Sequence, residues 1–367
     1  MKKLTTILIS SLILLSCNED RDITVKLGTG NQTDTGGGTP STSVYYTPTK
    51  AMKDVSSFPI GIAMSQNQAS STNFATIAKK EFNSVTAGNE MKFSTHSPSQ
   101  GTYNWVPGDA IVDFAQTNAM RVHGHVLIWH QQVPTWVTNF TGTNAEFETA
   151  IKTYVTDVVT HYKGKVASWD VVNEAFNEDG SLRSTIFSQR LGSNYITKIF
   201  QWARAADPTA KLFYNDFNLE SNVTKANAVV SMVNANSSLI DGIGLQMHIS
   251  ITTPSATVLN TIMDNVVATG KLIHFSELDV LVNPTGSVSS YDYATAIAQK
   301  NKYKEVISIY KTKVPAAKRF GITIWGMRDV DSWLKTNGSG YTDYPLLFGD
   351  GYEYKLAHQG VIEALQQ

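Results

Sequence analysis

The sequence predicts a (β/α)8 barrel, and three observations lead to this fold class. Eight short apolar runs of strand length alternate with helical stretches between residues 48 and 367. Polar side chains follow nearly every one of these runs, and a barrel would gather them on one face. The chain of 367 residues is 42% hydrophobic, which suffices for one large core or two modest ones. An open, doubly wound sheet is the structural alternative.

The predicted strands are short and bounded by polar or turn-forming residues. In chain order they are Pro59–Met64, Ser84–Ala87, Arg121–Ile128, Val166–Val172, Lys211–Asn215, Gly242–Gln246, Lys271–Ser276 and Arg319–Trp325. Helical stretches lie between them, for example Asn73–Phe82, Gly108–Asn118, Ala145–Tyr162, Ser193–Ala206, Thr224–Ala235 and Tyr291–Lys311. A last helix is predicted from His358 to Leu365.

The first residues have the organisation of an export signal. Met1-Lys2-Lys3 is a basic start, and the apolar run from Leu4 to Leu15 is too short to span a bilayer comfortably. Leu14-Leu15-Ser16-Cys17 then resembles a bacterial lipobox, in which the chain is cut before the cysteine and the thiol is lipidated. The alternatives are an ordinary signal peptide with an incidental cysteine, or a short membrane anchor.

We therefore expect three segments along the chain. Residues 1–16 form a signal peptide, residues 17–47 carry the lipidated Cys17 and a flexible tether, and residues 48–367 form the barrel. The tether is predicted because a stretch rich in Gly, Thr and Ser buries too little apolar surface to fold. The implied location is the bacterial cell envelope, at the outer-membrane surface, with the lipid as the only membrane contact.

The overall composition excludes several classes of function. A net charge of −1 gives no electrostatic case for binding nucleic acid or anionic lipid. The single cysteine excludes internal disulfides and a cysteine-based zinc site. Seven Trp and fifteen Tyr would suit a carbohydrate site, but aromatic residues are also ordinary core residues.

Two predicted strands end in glutamate. The run Val166–Val172 is followed by Asn173 and Glu174, and the run Lys271–Ser276 is followed by Glu277. A carboxylate at the mouth of a buried strand is costly unless it is hydrogen-bonded or used chemically. A retaining glycosidase needs two such groups about 5–5.5 Å apart, one to donate a proton and one to attack the sugar.

Three histidines near the third strand allow another interpretation. A strand places His123 and His125 on the same side, and His130 follows closely, so a zinc site is conceivable. No carboxylate accompanies them in that segment, and we favour histidines that form ordinary hydrogen bonds near a sugar. Any single polar strand end has a structural explanation of this kind, but polar ends on so many strands at once do not.

The strand-end motifs together resemble those of glycoside hydrolase family 10, the endo-β-1,4-xylanases. The motifs are Asn89-Glu90-Met91-Lys92, His123-Gly124-His125 with Trp129-His130, Trp169-Asp170-Val171-Val172-Asn173-Glu174, Gly244-Leu245-Gln246-Met247-His248, Ser276-Glu277-Leu278-Asp279, and Trp325-Gly326 with Asp329 and Ser332-Trp333. They occur in order from Phe58 to the C-terminus. The resemblance implies the (β/α)8 fold, cleavage of xylan or xylo-oligosaccharides with retention of configuration, and no cofactor or metal. It leaves the oligomeric state open.

The resemblance also implies a role for each matching residue. Glu174 would be the acid/base and Glu277 the nucleophile, and His248 and Asp279 would orient and tune Glu277. Asn173 would hold the sugar 2-hydroxyl at the cleavage subsite. The glycone side would be bound by Asn89, Lys92, His125, Trp129 and Gln132, and the walls of the cleavage subsite would be completed by Gln246, Trp325 and Trp333.

The sequence departs from the family pattern at two places. Gly88 stands where the family usually has a glutamate that contacts a glycone-side hydroxyl, so that distal subsite should be weakened or reshaped. Lys355-Leu356-Ala357 stands where the family often has Lys-Pro-Ala, a loop variation of little consequence. Two other functions stay open at this point: a glycosidase of the same mechanism acting on cellulose or mixed glucan, and a glycan-binding protein without catalysis. An esterase is disfavoured because no Gly-x-Ser-x-Gly nucleophile motif is present.

Overall fold

A closed ring of parallel strands forms the centre of the molecule. The computed structural model describes residues 42–335 and 341–367, and the described residues from Thr42 onwards belong to one compact unit. The predicted signal peptide, Cys17 and most of the predicted tether lie outside these residues. No helix within the described ranges is both long and apolar enough to cross a bilayer.

The strands follow one another around the barrel almost in chain order. They are β1 (Ile60–Met64), β2 (Ser84–Ala87), β3 (Arg121–Gly124), β4 (Ile128–Trp129), β5 (Ser168–Asn173), β6 (Lys211–Asp216), β7 (Gly242–Leu245), β8 (His248–Ser250), β9 (Leu272–Leu281) and β10 (Arg319–Ile324). The ring runs β1, β2, β3, β5, β6, β7, β9, β10, and β10 pairs with β1 to close it. The predicted (β/α)8 barrel is therefore confirmed, and the open sheet is excluded.

Helices connect the strands and cover the outside of the ring. They are α1 (Met52–Val55), α2 (Gln66–Ala69), α3 (Thr72–Glu81), α4 (Phe93–His96), α5 (Val106–Thr117), α6 (Thr135–Thr138), α7 (Asn144–His161), α8 (Ile186–Leu191), α9 (Tyr195–Ala206), α10 (Val223–Ala235), α11 (Ala256–Val267), α12 (Tyr293–Lys313) and α13 (Leu356–Gln366). Short 3-10 turns occur at Ala316–Lys318, Asp329–Asp331 and Trp333–Lys335. The start of α7 shows why helices begin where they do, since Thr143 and Glu146 cap each other's backbone N–H groups.

Two predicted strands differ from the observed strands by more than two residues at one end. The predicted run Arg121–Ile128 is split, because the chain leaves the ladder after Gly124 and returns at Ile128 to pair with β5. The predicted run Lys271–Ser276 corresponds to the first half of a longer strand, β9, which begins at Leu272 and continues to Leu281. The extension is stabilised by β8, whose residues His248–Ser250 pair with residues 279–281.

Close packing inside the barrel requires glycine at one of the predicted motif positions. A Cβ atom on Gly124 would lie 2.2 Å from the indole ring of Trp169, which is almost fully buried. The indole therefore lies directly on the β3 backbone, and any larger residue at position 124 would displace it. This contact fixes β3 against β5, the strand that carries Asn173 and leads to Glu174.

Candidate active site

The C-terminal ends of the strands line one cavity of about 650 Å³. In this fold the active site lies at that face, because the βα loops converge there. The cavity collects nearly every site residue predicted within the barrel: Asn89, Lys92, His125, Trp129, Gln132, Asn173, Glu174, Gln246, His248, Glu277, Trp325 and Trp333. Asp279 lies beneath this layer and reaches it through His248.

Glu277 is a buried carboxylate held by two side chains. Asn215 Nδ2 donates a hydrogen bond of 2.8 Å to one oxygen, and His248 Nε2 lies 3.2 Å from the other. Burial alone would raise the pKa of Glu277, but the hydrogen bond from His248 and the charges of His125 and His248 outweigh it, so that pKa lies below its usual value. Glu277 is therefore ionised at neutral pH, as a nucleophile must be.

His248 depends in turn on Asp279. The two residues are joined at 3.0 Å between Nδ1 and Oδ2, and Trp333 Nε1 donates to the same oxygen at 3.1 Å. Burial alone would lower the pKa of His248, but the carboxylates of Asp279 and Glu277 raise it well above its usual value. The imidazole is therefore charged at neutral pH and donates to a carboxylate on each side.

Glu174 has partners of a different kind. Its Oε1 accepts from Asn173 Nδ2 at 3.1 Å and from Gln246 Nε2 at 3.0 Å, and both donors are neutral amides. His130 Nδ1 lies 4.0 Å from Oε2, and burial lowers the pKa of that imidazole. Glu174 also has a φ of 56°. This left-handed backbone conformation is uncommon in residues with a side chain and costs about 1–3 kcal/mol.

Amide side chains link the two glutamates. Asn215 Nδ2 donates to Glu277 and also to Asn173 Oδ1, at 2.8 and 2.9 Å, and Asn173 Nδ2 donates to Glu174. Ser276 Oγ orients the Asn215 amide by donating to its oxygen at 2.6 Å. The sequence predicts a strand end at Asn215 but no role for this residue. Its bridging position could not be predicted because it depends on how β5, β6 and β9 are arranged. Its place at the end of a strand, next to the strand that leads to Glu174, was the available signal.

The predicted glycone-side residues also lie together. Lys92 Nζ donates to Asn89 Oδ1 at 3.0 Å and lies 5.0 Å from the centroid of the Trp129 ring. Gln132 Nε2 approaches the same Asn89 oxygen at 3.4 Å. His125 packs edge-on against Trp325, with ring centroids 5.4 Å apart. Amides, one ammonium and two aromatic faces therefore surround this half of the cavity, a composition suited to hydroxyl groups and flat sugar rings.

The histidines of the third strand do not form a metal site. His123 Nε2 and His125 Nδ1 lie 3.1 and 2.9 Å from the two oxygens of Asp170, which comes from the neighbouring strand β5. These histidines hold the pKa of Asp170 well below its usual value, against the effect of burial. Among residues 42–335 and 341–367, no three His, Cys, Asp or Glu side chains are grouped to hold a metal ion.

Gly88 leaves space in the cavity wall. A Cβ atom added there would meet only the carbonyl oxygen of Met64, at 3.6 Å, within a 4 Å radius. The neighbouring Glu90 does not fill this space, because its two oxygens accept from the backbone N–H groups of Gln66 and Asn89. Position 88 therefore has no steric requirement for glycine, and the gap beside Asn89 is unoccupied by protein.

The fold and the site define a (β/α)8 barrel with a buried pair of carboxylates of the glycosidase type. The sequence profile of Glycosyl hydrolase family 10 matches residues 49–364, and the chain belongs to this family. The family predicted from the sequence motifs is thereby confirmed.

Several known proteins resemble the chain over most of its length. Endo-β-1,4-xylanase Xyn10C of Cellvibrio japonicus is 40% identical over 341 residues, which cover 84% of this chain and 56% of the relative. Endo-1,4-β-xylanase A of Cellvibrio japonicus is 38% identical over 348 residues, covering 86% of this chain and 56% of the relative. The chain thus matches just over half the length of these two relatives. A solved variant of Cellvibrio japonicus xylanase 10C in complex with xylopentaose superposes with a TM-score of 0.83 at 37% identity, covering 86% of this chain and 69% of that one.

The charge on His248 predicts a shift in the pH dependence of the site. In His248→Asn, Glu277 loses both a hydrogen bond and a nearby positive charge, so its pKa should rise. Because a glutamate nucleophile works only when ionised, the acid limb of the kcat/KM profile should move to higher pH. Hydrolysis measured across the acidic range checks this.

The matched control for this pH shift is Gln246→Met. Gln246 donates to Glu174 and Asn173 rather than to Glu277, so this variant should lose activity without moving the acid limb. An acid limb that stays in place in His248→Asn, or moves equally in both variants, would show that His248 does not set the ionisation of Glu277.

Proposed function

We propose that this chain is a retaining endo-β-1,4-xylanase. The observation that carries the proposal is the pair Glu174 and Glu277, buried in one cavity with opposite kinds of partner. Glu277 is kept ionised beside a charged imidazole, whereas Glu174 is held by neutral amides. Two environments that separate a nucleophile from an acid are what double displacement requires. The xylanase names of the relatives and the bound xylopentaose of the solved neighbour support xylan as the substrate.

The reaction would proceed in two steps. The Glu277 carboxylate attacks the anomeric carbon while the bond to the leaving sugar oxygen breaks, and that oxygen takes the proton of Glu174. In the second step Glu174 removes a proton from water, whose oxygen attacks the anomeric carbon and releases Glu277. Once Glu277 is esterified its negative charge is gone, which favours loss of a proton nearby and suits Glu174 to act as the base.

The two glutamates should fail in different ways when replaced. Glu277→Ala should abolish xylan hydrolysis, and azide should partly restore turnover of aryl xylobiosides as glycosyl azide of inverted configuration, because the small anion occupies the vacated space. Glu174→Ala should still form the intermediate from substrates with good leaving groups, which need little protonation, and the intermediate should accumulate. Product analysis and burst kinetics check both outcomes.

The substrate class is tested with the same proteins. Reducing-sugar release from xylan should greatly exceed release from carboxymethylcellulose or mixed β-glucan. Preference for a glucan would replace the xylanase assignment with another β-1,4-glycanase. No release from any of the three by the wild-type protein would identify a glycan-binding protein. Equal losses on aryl and polymeric substrates in Glu174→Ala would refute its role as the acid.

The gap at Gly88 predicts a substrate preference. A carboxylate there could accept a charge-assisted hydrogen bond from a sugar hydroxyl, an interaction worth about 1.5–3 kcal/mol when buried. Since a Cβ atom is accommodated, Gly88→Glu should raise kcat/KM on short linear xylo-oligosaccharides. It should lower kcat/KM on arabinosyl- or uronosyl-branched xylan, because the new side chain occupies space that a branch would use.

Both substrates measured on both proteins decide the role of Gly88. A ratio of linear to branched activity that does not change would mean that position 88 carries no specificity. Gly88→Ala is the matched control, since it fills part of the gap without adding a carboxylate and should affect only the branched substrate.

We also propose that the mature protein is a lipoprotein of the bacterial envelope. The support is the sequence Leu14-Leu15-Ser16-Cys17 after a basic, apolar start. Cys17→Ser should abolish lipid labelling and move the protein from the membrane fraction to the soluble fraction. A chain starting at Pro48 should be soluble and fully active. Wild-type protein released into the medium with an unmodified N-terminus would refute the proposal.

A further inference from the structure

A buried lysine lies outside the cavity, on the helix that follows β6. Lys225, on α10, has a fully buried side chain. Its Nζ lies 2.8 Å from Asp216 Oδ1, and Asp216 is also fully buried. A buried ion pair of this kind contributes little net stability, since desolvating the two charges costs about as much as their attraction returns. The reason for its presence therefore has to be sought in what the pair holds in place.

The pair leads through one tyrosine to the peptide bond that follows Glu174. Tyr214 OH donates to Asp216 Oδ2 at 2.5 Å and accepts a hydrogen bond of 2.9 Å from the backbone N–H of Ala175. Tyr214 is fully buried, so no water competes for its hydroxyl. Lys225, Asp216 and Tyr214 thus form a continuous chain of hydrogen bonds that ends on the Glu174–Ala175 peptide.

That peptide group is the one whose orientation aims the Glu174 side chain. Its carbonyl oxygen accepts from Arg183 Nε at 3.1 Å, and the N–H of Glu174 itself donates to Asn215 O at 2.9 Å. The φ of 56° at Glu174 is unfavourable for a residue with a side chain, so the backbone there needs external support. The hydroxyl of Tyr214 supplies it on the N–H side.

Lys225 holds the same loop at a second point. Its Nζ lies 3.1 Å from Glu178 Oε1, four residues beyond Glu174. Asn222, the cap of α10, donates to the backbone oxygen of Glu178 at 2.8 Å. The ammonium also lies 3.6 Å from the centroid of the Phe217 ring, which lines the cavity. One buried cation therefore connects the loop after β5 with the loop after β6.

We propose that Tyr214, Asp216 and Lys225 form a positioning network for Glu174, which fixes the direction of its carboxyl group toward the leaving oxygen. The inference rests on the proposed xylanase function. None of the three residues would touch the reacting atoms, so their effect appears only in steps that transfer a proton to or from Glu174.

The test is Tyr214→Phe, assayed with two kinds of substrate. With xylo-oligosaccharides, whose leaving group must be protonated, kcat/KM should fall about tenfold, a fraction of the full contribution of a general acid. With dinitrophenyl xylobioside, whose leaving group departs unprotonated, kcat/KM should stay within about threefold of the wild type. For the aryl substrate kcat and KM should fall together, because the second step still needs Glu174 as a base.

Tyr310→Phe is the matched control. Tyr310 is equally buried, and its hydroxyl likewise donates to one acceptor, Ile273 O, and accepts from one backbone N–H, that of Gly321. It should lose comparable thermal stability but no leaving-group selectivity. If Tyr214→Phe does not fold, Asp216→Asn combined with Lys225→Met repeats the test, because the amide keeps an oxygen for Tyr214 and the double change leaves no unpaired buried charge.

The possible results are distinct. Wild-type protein that cleaves no xylan refutes the proposed function. If the wild-type protein is active, two results refute the positioning network alone. One is that Tyr214→Phe is unchanged, and the other is that it loses activity equally on both substrates, as a variant that is only less stable would. A selective loss on substrates that need protonation supports it.

Discussion

The site depends on keeping one buried carboxylate charged. Moving an ionised glutamate out of water is strongly unfavourable unless hydrogen bonds and opposite charge replace the lost hydration. Glu277 receives both from His248, whose own charge is maintained by Asp279 below it. Asp279 is oriented by the indole N–H of Trp333. Trp333, Asp279, His248 and Glu277 thus form a continuous chain of hydrogen bonds, and its last contact places the His248 imidazole beside the Glu277 carboxylate.

The barrel provides this column and the amides around it through strand register. Asn173 of β5 lies opposite Asn215 of β6, and Asn215 lies opposite Gly244 of β7. Gln246 comes two residues after Gly244 and therefore points to the same side. Successive strand residues point to opposite faces, so a slip of one residue would turn these amides away from the cavity. The close contact between Gly124 and Trp169 on the neighbouring strand pair resists such a slip, because the indole fits only where a side chain is missing.

Much of this arrangement could be predicted from the sequence, for a physical reason. Strand ends converge on one face of a barrel, so a polar residue after each apolar run was sufficient to bring Asn89, His125, Glu174, Gln246 and Trp325 into one cavity. Glu277 was predicted at a strand end, yet it lies within β9, because β8 supplies a further pairing partner that local patterning does not reveal.

The residues that support the two glutamates could not be predicted from the sequence. Tyr214 and Asp216 lie in a predicted strand and at its end, but nothing in the pattern indicates that a lysine on the following helix pairs with them. Asp170 is part of a sequence motif, but its contacts with His123 and His125 could not be predicted, because they depend on β3 and β5 being neighbours. Periodicity identifies which face is buried, and lateral partners between elements become visible only in three dimensions.

The two glutamates have different surroundings because the proposed reaction requires a different protonation behaviour of each. Glu277 stays unprotonated until it attacks, so a permanent cation beside it is an advantage. Glu174 has to hold a proton in one step and give it up before the next, and a fixed charge in contact with it would favour one state throughout. Its contacts are accordingly two neutral amides, with the nearest imidazole 4.0 Å away. The backbone at Glu174 is instead held rigidly, since the N–H groups of Glu174 and Ala175 and the carbonyl group of Glu174 are all hydrogen-bonded. These backbone hydrogen bonds offset the strain of the positive φ at Glu174 and leave its carboxyl group free to gain and lose a proton.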